Sequence, residues 1–163
     1  MNTDLKLQED LLYAWMEMSV FIRGNRILTD LSFNEVMICG MLYRQKNNTP
    51  LTATELGERT NLLKSQINHI LTDMEKRGLV QRTRSTADKR VVYVQLSEEG
   101  HVRYLQEHAK VMEILKEVHQ ELGSEKALEL TNMLKQATTI VNAYQSLQIK
   151  SQAKNREIFR HSK

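Results

Sequence analysis

A single cysteine, Cys39, leaves the chain unable to close a disulfide on itself and without a CxxC pair for zinc or redox chemistry. That scarcity fits a reducing cytoplasm. Proline is almost absent too: Pro50 stands alone, with only six glycines in 163 residues. Little interrupts a helix, and the abundant Leu, Met, Glu, Lys and Gln favour one. No run of about 18 apolar residues occurs, and the N-terminus lacks the basic start and apolar stretch of a signal peptide. Neither a membrane span nor export by that route is expected. Missing as well are a Gly-rich phosphate loop, a Gly-x-Ser-x-Gly elbow, an HExxH pair and an acidic metal cluster. An enzyme is therefore not expected, and neither is a cofactor or a bound metal.

Charge is present but unevenly placed. The net charge is only +3. Residues 76–90 nevertheless hold Lys76, Arg77, Arg82, Arg84, Lys89 and Arg90 against Asp88 alone, and residues 150–163 hold five cations against Glu157. Focused positive charge on an otherwise acidic body is the footprint of a polyanionic partner. For the 150–163 tail a solvated charge run is the favoured reading.

Periodicity sets the element order. Leu5, Leu11, Leu12, Trp15, Met16, Ser19 and Ile22 recur at helical spacing until Gly24-Asn25. Ser32-Phe33-Asn34-Glu35 and Thr52-Ala53-Thr54-Glu55 both have the form of a capping box. They predict helices over about 33–44 and from Thr52 to about Thr60, separated by a loop over 45–50 and a short strand at Leu51. A helix over about 63–77 buries Ile67, Ile70, Leu71 and Met74, with Gly78 as its C-terminal stop. The period then drops to two. Val80, Arg82 and Arg84 alternate before a polar, basic tip at 85–89 and Val92, Val94 and Leu96 after it, which predicts a β-hairpin. Ser97-Glu98-Glu99 opens a long helix that Gly123 stops, and Ser124 starts another with Leu130, Met133, Leu134, Ala137, Ile140, Val141 and Tyr144 on one side. The fold class is mainly α with a small β-wing.

Two short helices and a tight turn followed at once by a basic hairpin form a DNA-reading arrangement. A helix about 10–12 Å across fits a major groove about 12 Å wide. Along the polar face of the 63–77 helix, Gln66 and Asn68 suit adenine, Ser65 reaches phosphate or base, and Lys64 and His69 reach phosphate or a purine edge. The apolar stripes on the first and last helices exceed what one small module can cover, so they require each other or a partner chain.

Asp88-Lys89-Arg90, the strand to Leu96 and Ser97-Glu98-Glu99-Gly100 resemble the wing of the multiple antibiotic resistance regulator (MarR) family. The Lys64-Ser65 opening, the run Met74 to Val80 and the helix order match as well, so the resemblance spans about Leu5 to Leu147. It implies a winged helix-turn-helix with N- and C-terminal helices forming a dimerisation domain: residues 1–30 and 98–149 as arms, 31–97 for DNA, 150–163 as a basic tail. It also implies a homodimer on a pseudo-palindromic operator of double-stranded DNA, acting as a transcriptional regulator, more often a repressor. Arg90 is implied to enter the minor groove, where narrow A·T-rich sequence favours a guanidinium, with Asp88 holding the wing. Arg82, Arg84 and Lys89 then read as phosphate contacts. His69 departs from the arginine many relatives carry there, which bears on base preference.

Relatives often hold a small phenolic or hydrophobic effector, and the resemblance places such a pocket near Trp15, Ser19, Arg23, Met37 and Met41. Core packing is the simpler reading of Trp and Met at these spacings. Cys39 has no basic neighbour in sequence and reads as an inert buried thiol. A redox- or zinc-responsive regulator of the same fold is the alternative, although His101, His108 and His119 lack two-ligand spacing. A winged helix that binds protein rather than DNA is the other.

Overall fold

The computed structural model describes residues 3–23, 27–45 and 49–161, with side chains to residue 147 apart from Ile22 and Arg23. The expected stop at Gly24-Asn25 and most of the loop ahead of Thr49 lie outside the described residues. The chain separates into two compact units, residues 1–113 and 114–163.

Local chemistry starts and stops the helices of the first unit. Helix α1 is Thr3–Arg23. Helix α2, Phe33–Tyr43, opens on the predicted capping box. Ser32 N–H donates to Glu35 Oε2 at 2.7 Å, and Glu35 N–H to Ser32 Oγ at 3.4 Å. Strand β1, Leu51–Thr52, leads into helix α3, Ala53–Thr60, where Thr52 and Glu55 repeat the arrangement. The Thr52 N–H and hydroxyl hold the Glu55 carboxyl below its usual range. Asn61 ends α3 in the left-handed region (φ 55°), a conformation asparagine tolerates well, and so makes the turn into helix α4, Lys64–Lys76. Gly78 follows α4 at φ 71°, as the sequence predicts for a C-terminal stop.

Strands β2, Val80–Arg84, and β3, Val92–Leu96, form the hairpin, with Val80 opposite Leu96 and Arg84 opposite Val92. Strand β1 joins the free side of β3, giving an antiparallel sheet ordered β1-β3-β2. Helix α5, Glu98–His161, carries on through the second unit and breaks at Gly123 (φ 74°, ψ 162°), where the sequence places the boundary between two helices. The stretch read as a basic tail is helical backbone to His161.

One core holds the first unit together. Ile38, Cys39 and Leu42 from α2 meet Leu56, Ile67, Leu71 and Met74 from α3 and α4. Val80, Val94, Leu96 and Tyr104 close it from the sheet and α5. Full burial of each large aliphatic side chain stabilises the fold by about 1.5–3 kcal/mol. Ile70, expected in this stripe, is only half-buried at its edge. Among the described residues no helix is long and apolar enough to cross a membrane.

Candidate nucleic-acid interface

With Ile67, Leu71 and Met74 committed to the core, the rotation of α4 is fixed. Lys64, Ser65, Gln66 and His69 are exposed, and Asn68 is half-buried. The side chain of Gln66 is partly engaged: its Oε1 accepts the N–H of Leu63 at 2.9 Å, which satisfies one unpaired donor of the helix start. The Gln66 amide group is the part left for an outside partner. Like any helix N-terminus, this one also presents backbone donors and positive dipole charge.

The wing residues divide into two sets. Arg82 bends back onto α4, where its Nη1 donates to Thr72 Oγ1 at 3.0 Å and lies 3.6 Å from Glu75 Oε2. Its Nε is buried and, among the described residues, without a partner. Arg84, Lys89 and Arg90 are exposed. The tip between them is wound by local hydrogen bonds. Ser85 Oγ accepts from the N–H groups of Ala87 and Asp88, and Asp88 Oδ1 accepts the N–H of Arg90 at 2.9 Å. Asp88 therefore shapes the turn through the backbone of Arg90 and leaves the Arg90 side chain outward.

The residues named for an effector lie on α1 and α2. Trp15 and Met37 are exposed, Ser19 is half-buried, and Met41 packs against the core. The Arg23 side chain lies outside the described residues. Cys39 is fully buried, and desolvation, helped by the Glu35 carboxylate, raises its thiol to about 12 despite the opposing pull of Arg77. His101 meets Tyr43 edge-on and His108 lies tilted against Tyr104, at either end of an aromatic row, and His119 Nε2 sits 3.1 Å from Ser124 Oγ.

A family model described as the MarR family matches residues 29–91. The regulator FarR of Neisseria gonorrhoeae, described as an HTH-type transcriptional regulator, is 33% identical over 99 residues, covering 61% of this chain and 68% of its own. The chain belongs to the MarR family. A repressor of the homoprotocatechuate degradative operon in Escherichia coli is 30% identical over 91 residues, 56% of this chain. The matched stretch spans only 62% of that relative's length. The fold is shared with the transcriptional repressor CouR, solved on a 23-mer DNA duplex. Its TM-score is 0.72 at 21% identity, covering 82% of this chain and 95% of that one.

For a MarR-family chain, the polar apparatus behind α4 is what sequence reasoning missed. Arg77, read as part of a basic run, stays exposed but reaches back across the surface: Nη1 donates to Glu35 Oε1 at 2.5 Å and Nη2 to the carbonyl of Asp30 at 2.9 Å. Glu107, whose pairing with His108 in sequence lacks metal-ligand spacing, is 1% exposed. Its carboxylate accepts from Thr29 N–H, Asp30 N–H, the Thr29 hydroxyl and Lys110 Nζ. Burial pushes its pKa up, but the Lys110 ammonium and the two backbone N–H groups outweigh that and hold it below the usual range. One signal existed: Gly100, Tyr104, Glu107 and Val111 lie at helical spacing on one face of α5, which puts a charge in an inward stripe.

Proposed function

We propose that this MarR-family protein is a homodimeric, sequence-specific DNA-binding transcriptional repressor of the cytoplasm and not an enzyme. The observation that carries the reading is the placement of two exposed polar sets beside one core. They are Lys64, Ser65, Gln66 and His69 on the open face of α4, and Lys89 and Arg90 at the tip of the wing. In this reading α4 enters the major groove with Asn68 at its margin, and Arg90 enters the minor groove. Asp88 shapes the wing tip, while Arg84 and Lys89 contact phosphate. Arg82 supports the wing from inside. Residues 31–97 are the DNA-binding body. The stretches 1–30 and 98–149 form the dimerisation arms, and 150–163 is a basic extension.

The likeness in fold to a repressor solved on duplex DNA supports this mode. A two-fold dimer places paired α4 helices about 10 base pairs apart on a pseudo-palindrome. Release by a small phenolic or hydrophobic effector near Trp15, Ser19, Arg23, Met37 and Met41 is part of the proposal. Its support is a relative named for repressing a homoprotocatechuate degradative operon. An effector acts here only by binding the DNA-free geometry more tightly than the bound one.

Selection of bound duplexes from a random-sequence pool by the full-length protein, at several salt concentrations, tests the reading. A pseudo-palindromic site bound with steep salt dependence is the expected result. Failure to retain any duplex at low salt overturns it in favour of a protein-binding winged helix.

A further inference from the structure

Helix α4 is joined to the start of α5 at two separate places. The first is direct. Ser97 Oγ donates to the carbonyl of Gly78 at 2.5 Å, and Ser97 N–H to that of Leu79 at 3.1 Å. Gly100 lies so close that a Cβ there would stand 1.9 Å from the Leu79 oxygen. This joint lies just past the C-terminal end of α4, so it fixes that end more firmly than the angle of the helix.

The second joint runs through the segment 29–31, which lies ahead of α2. From the α4 side, the Arg77 guanidinium reaches the Asp30 carbonyl and the Glu35 carboxylate. From the α5 side, Arg103 pairs with the Asp30 carboxylate. Glu107 takes the N–H groups of Thr29 and Asp30 at 3.1 and 3.2 Å, and Lys110 Nζ at 2.7 Å. A carboxylate carrying four donors while almost wholly buried has few other arrangements open to it. Arg77, although exposed, is tied at two points, because two of its nitrogens serve acceptors on two different segments.

We propose that Arg77 and Glu107 are positioning residues for recognition, fixing through the 29–31 segment the angle at which α4 is presented to DNA. The proposal rests on the DNA-binding homodimer reading above. Leverage makes the angle matter. Thirteen residues make α4 about 20 Å long. A tilt of about 10° about its C-terminal end therefore moves its N-terminal side chains by about 3.4 Å, one base-pair step along the duplex. Loosening this joint lets the two recognition helices of a dimer meet half-sites at altered separations.

The test uses full-length wild type, Glu107→Gln and Arg77→Lys, on duplexes selected by wild type and rebuilt with one base pair added or removed between half-sites. Wild type is expected to lose about tenfold in affinity on the altered spacings, in line with the penalty for a mismatched pair. Both variants are expected to bind the parent site about tenfold more weakly, with the spacing penalty reduced to about twofold and the salt slope unchanged, since no phosphate contact is removed. A purely structural role would lower the melting temperature and leave the spacing penalty of the folded fraction intact. That result overturns the proposal. If Glu107→Gln does not fold, Arg77→Lys and Asp30→Ala, which alter more exposed groups, decide by the same criterion. Wild type that binds no duplex overturns the functional reading and the proposal together, and is told apart because the failure precedes any substitution.

Discussion

Arg82 and Arg90 are both arginines of the hairpin, and the sequence reads both as contacts to DNA. The structure separates them, because Arg82 folds onto Thr72 and Glu75 of α4 whereas Arg90 projects from the wing tip. Periodicity shows which side of a strand a residue occupies; it does not show whether a long side chain bends back across the sheet. Arg90→Ala should therefore leave urea unfolding unchanged while weakening DNA binding and lowering the salt slope by about one. Arg82→Ala should lower stability by about 1 kcal/mol, because Thr72 and Glu75 lose their partner. Equal loss of stability in both variants would contradict this division. Cys39 makes the converse case: its neighbours in sequence already point to an inert thiol, and the core explains why. A thiol raised to about 12 is ionised at neutral pH about three orders of magnitude less than a free one. Native protein should resist iodoacetamide until urea unfolds it, as followed by intact mass.

At the scale of elements, what was legible follows the reach of the interactions. The capping boxes at Ser32 and Thr52 span three residues, and the stop at Gly78 is a property of one, so the sequence places all three correctly. The joint at Gly100 depends on Leu79, far away in the chain, and stays invisible until the chain folds. Ser32→Ala should cost about 1 kcal/mol as a lost N-cap. Gly100→Ala should exceed that, at about 3 kcal/mol, because the obstruction is a backbone carbonyl that cannot swing aside as a side chain would. Urea titration of the two proteins orders them, and the reverse order would show that α5 can slide at its start. The Glu107 joint adds a dependence on acid. Because its folded pKa lies below the ordinary value of about 4.3, Glu107 contributes stability above that pH and loses it as pH falls through the depressed folded value. Unfolding free energy measured downward from pH 7 should fall less steeply in this window for Glu107→Gln than for wild type.

Across the whole molecule, the apolar surface is distributed in a way one chain does not resolve. The winged body has a closed core, yet α1 exposes Leu5, Leu11, Leu12, Trp15 and Met16. Beyond Gly123, α5 exposes Met133, Leu134, Ile140 and Tyr144. Large contiguous apolar surfaces of this kind mark association sites in soluble proteins, and the helical spacing that made the stripes legible in sequence says nothing about which copy covers them. In the proposed homodimer a second copy covers both stripes, and assembly is coupled to DNA binding, because two half-sites contribute together only when both recognition helices belong to one particle. Leu11→Glu combined with Leu134→Glu places a carboxylate in each stripe without touching the winged core. The expected product is a folded monomer by light scattering, with the helical signal of the body retained and affinity for the selected operator reduced by about 100-fold or more. A doubly substituted protein that stays dimeric would mean that other surfaces hold the copies together. A monomer that keeps full affinity would mean that one winged body suffices for the operator.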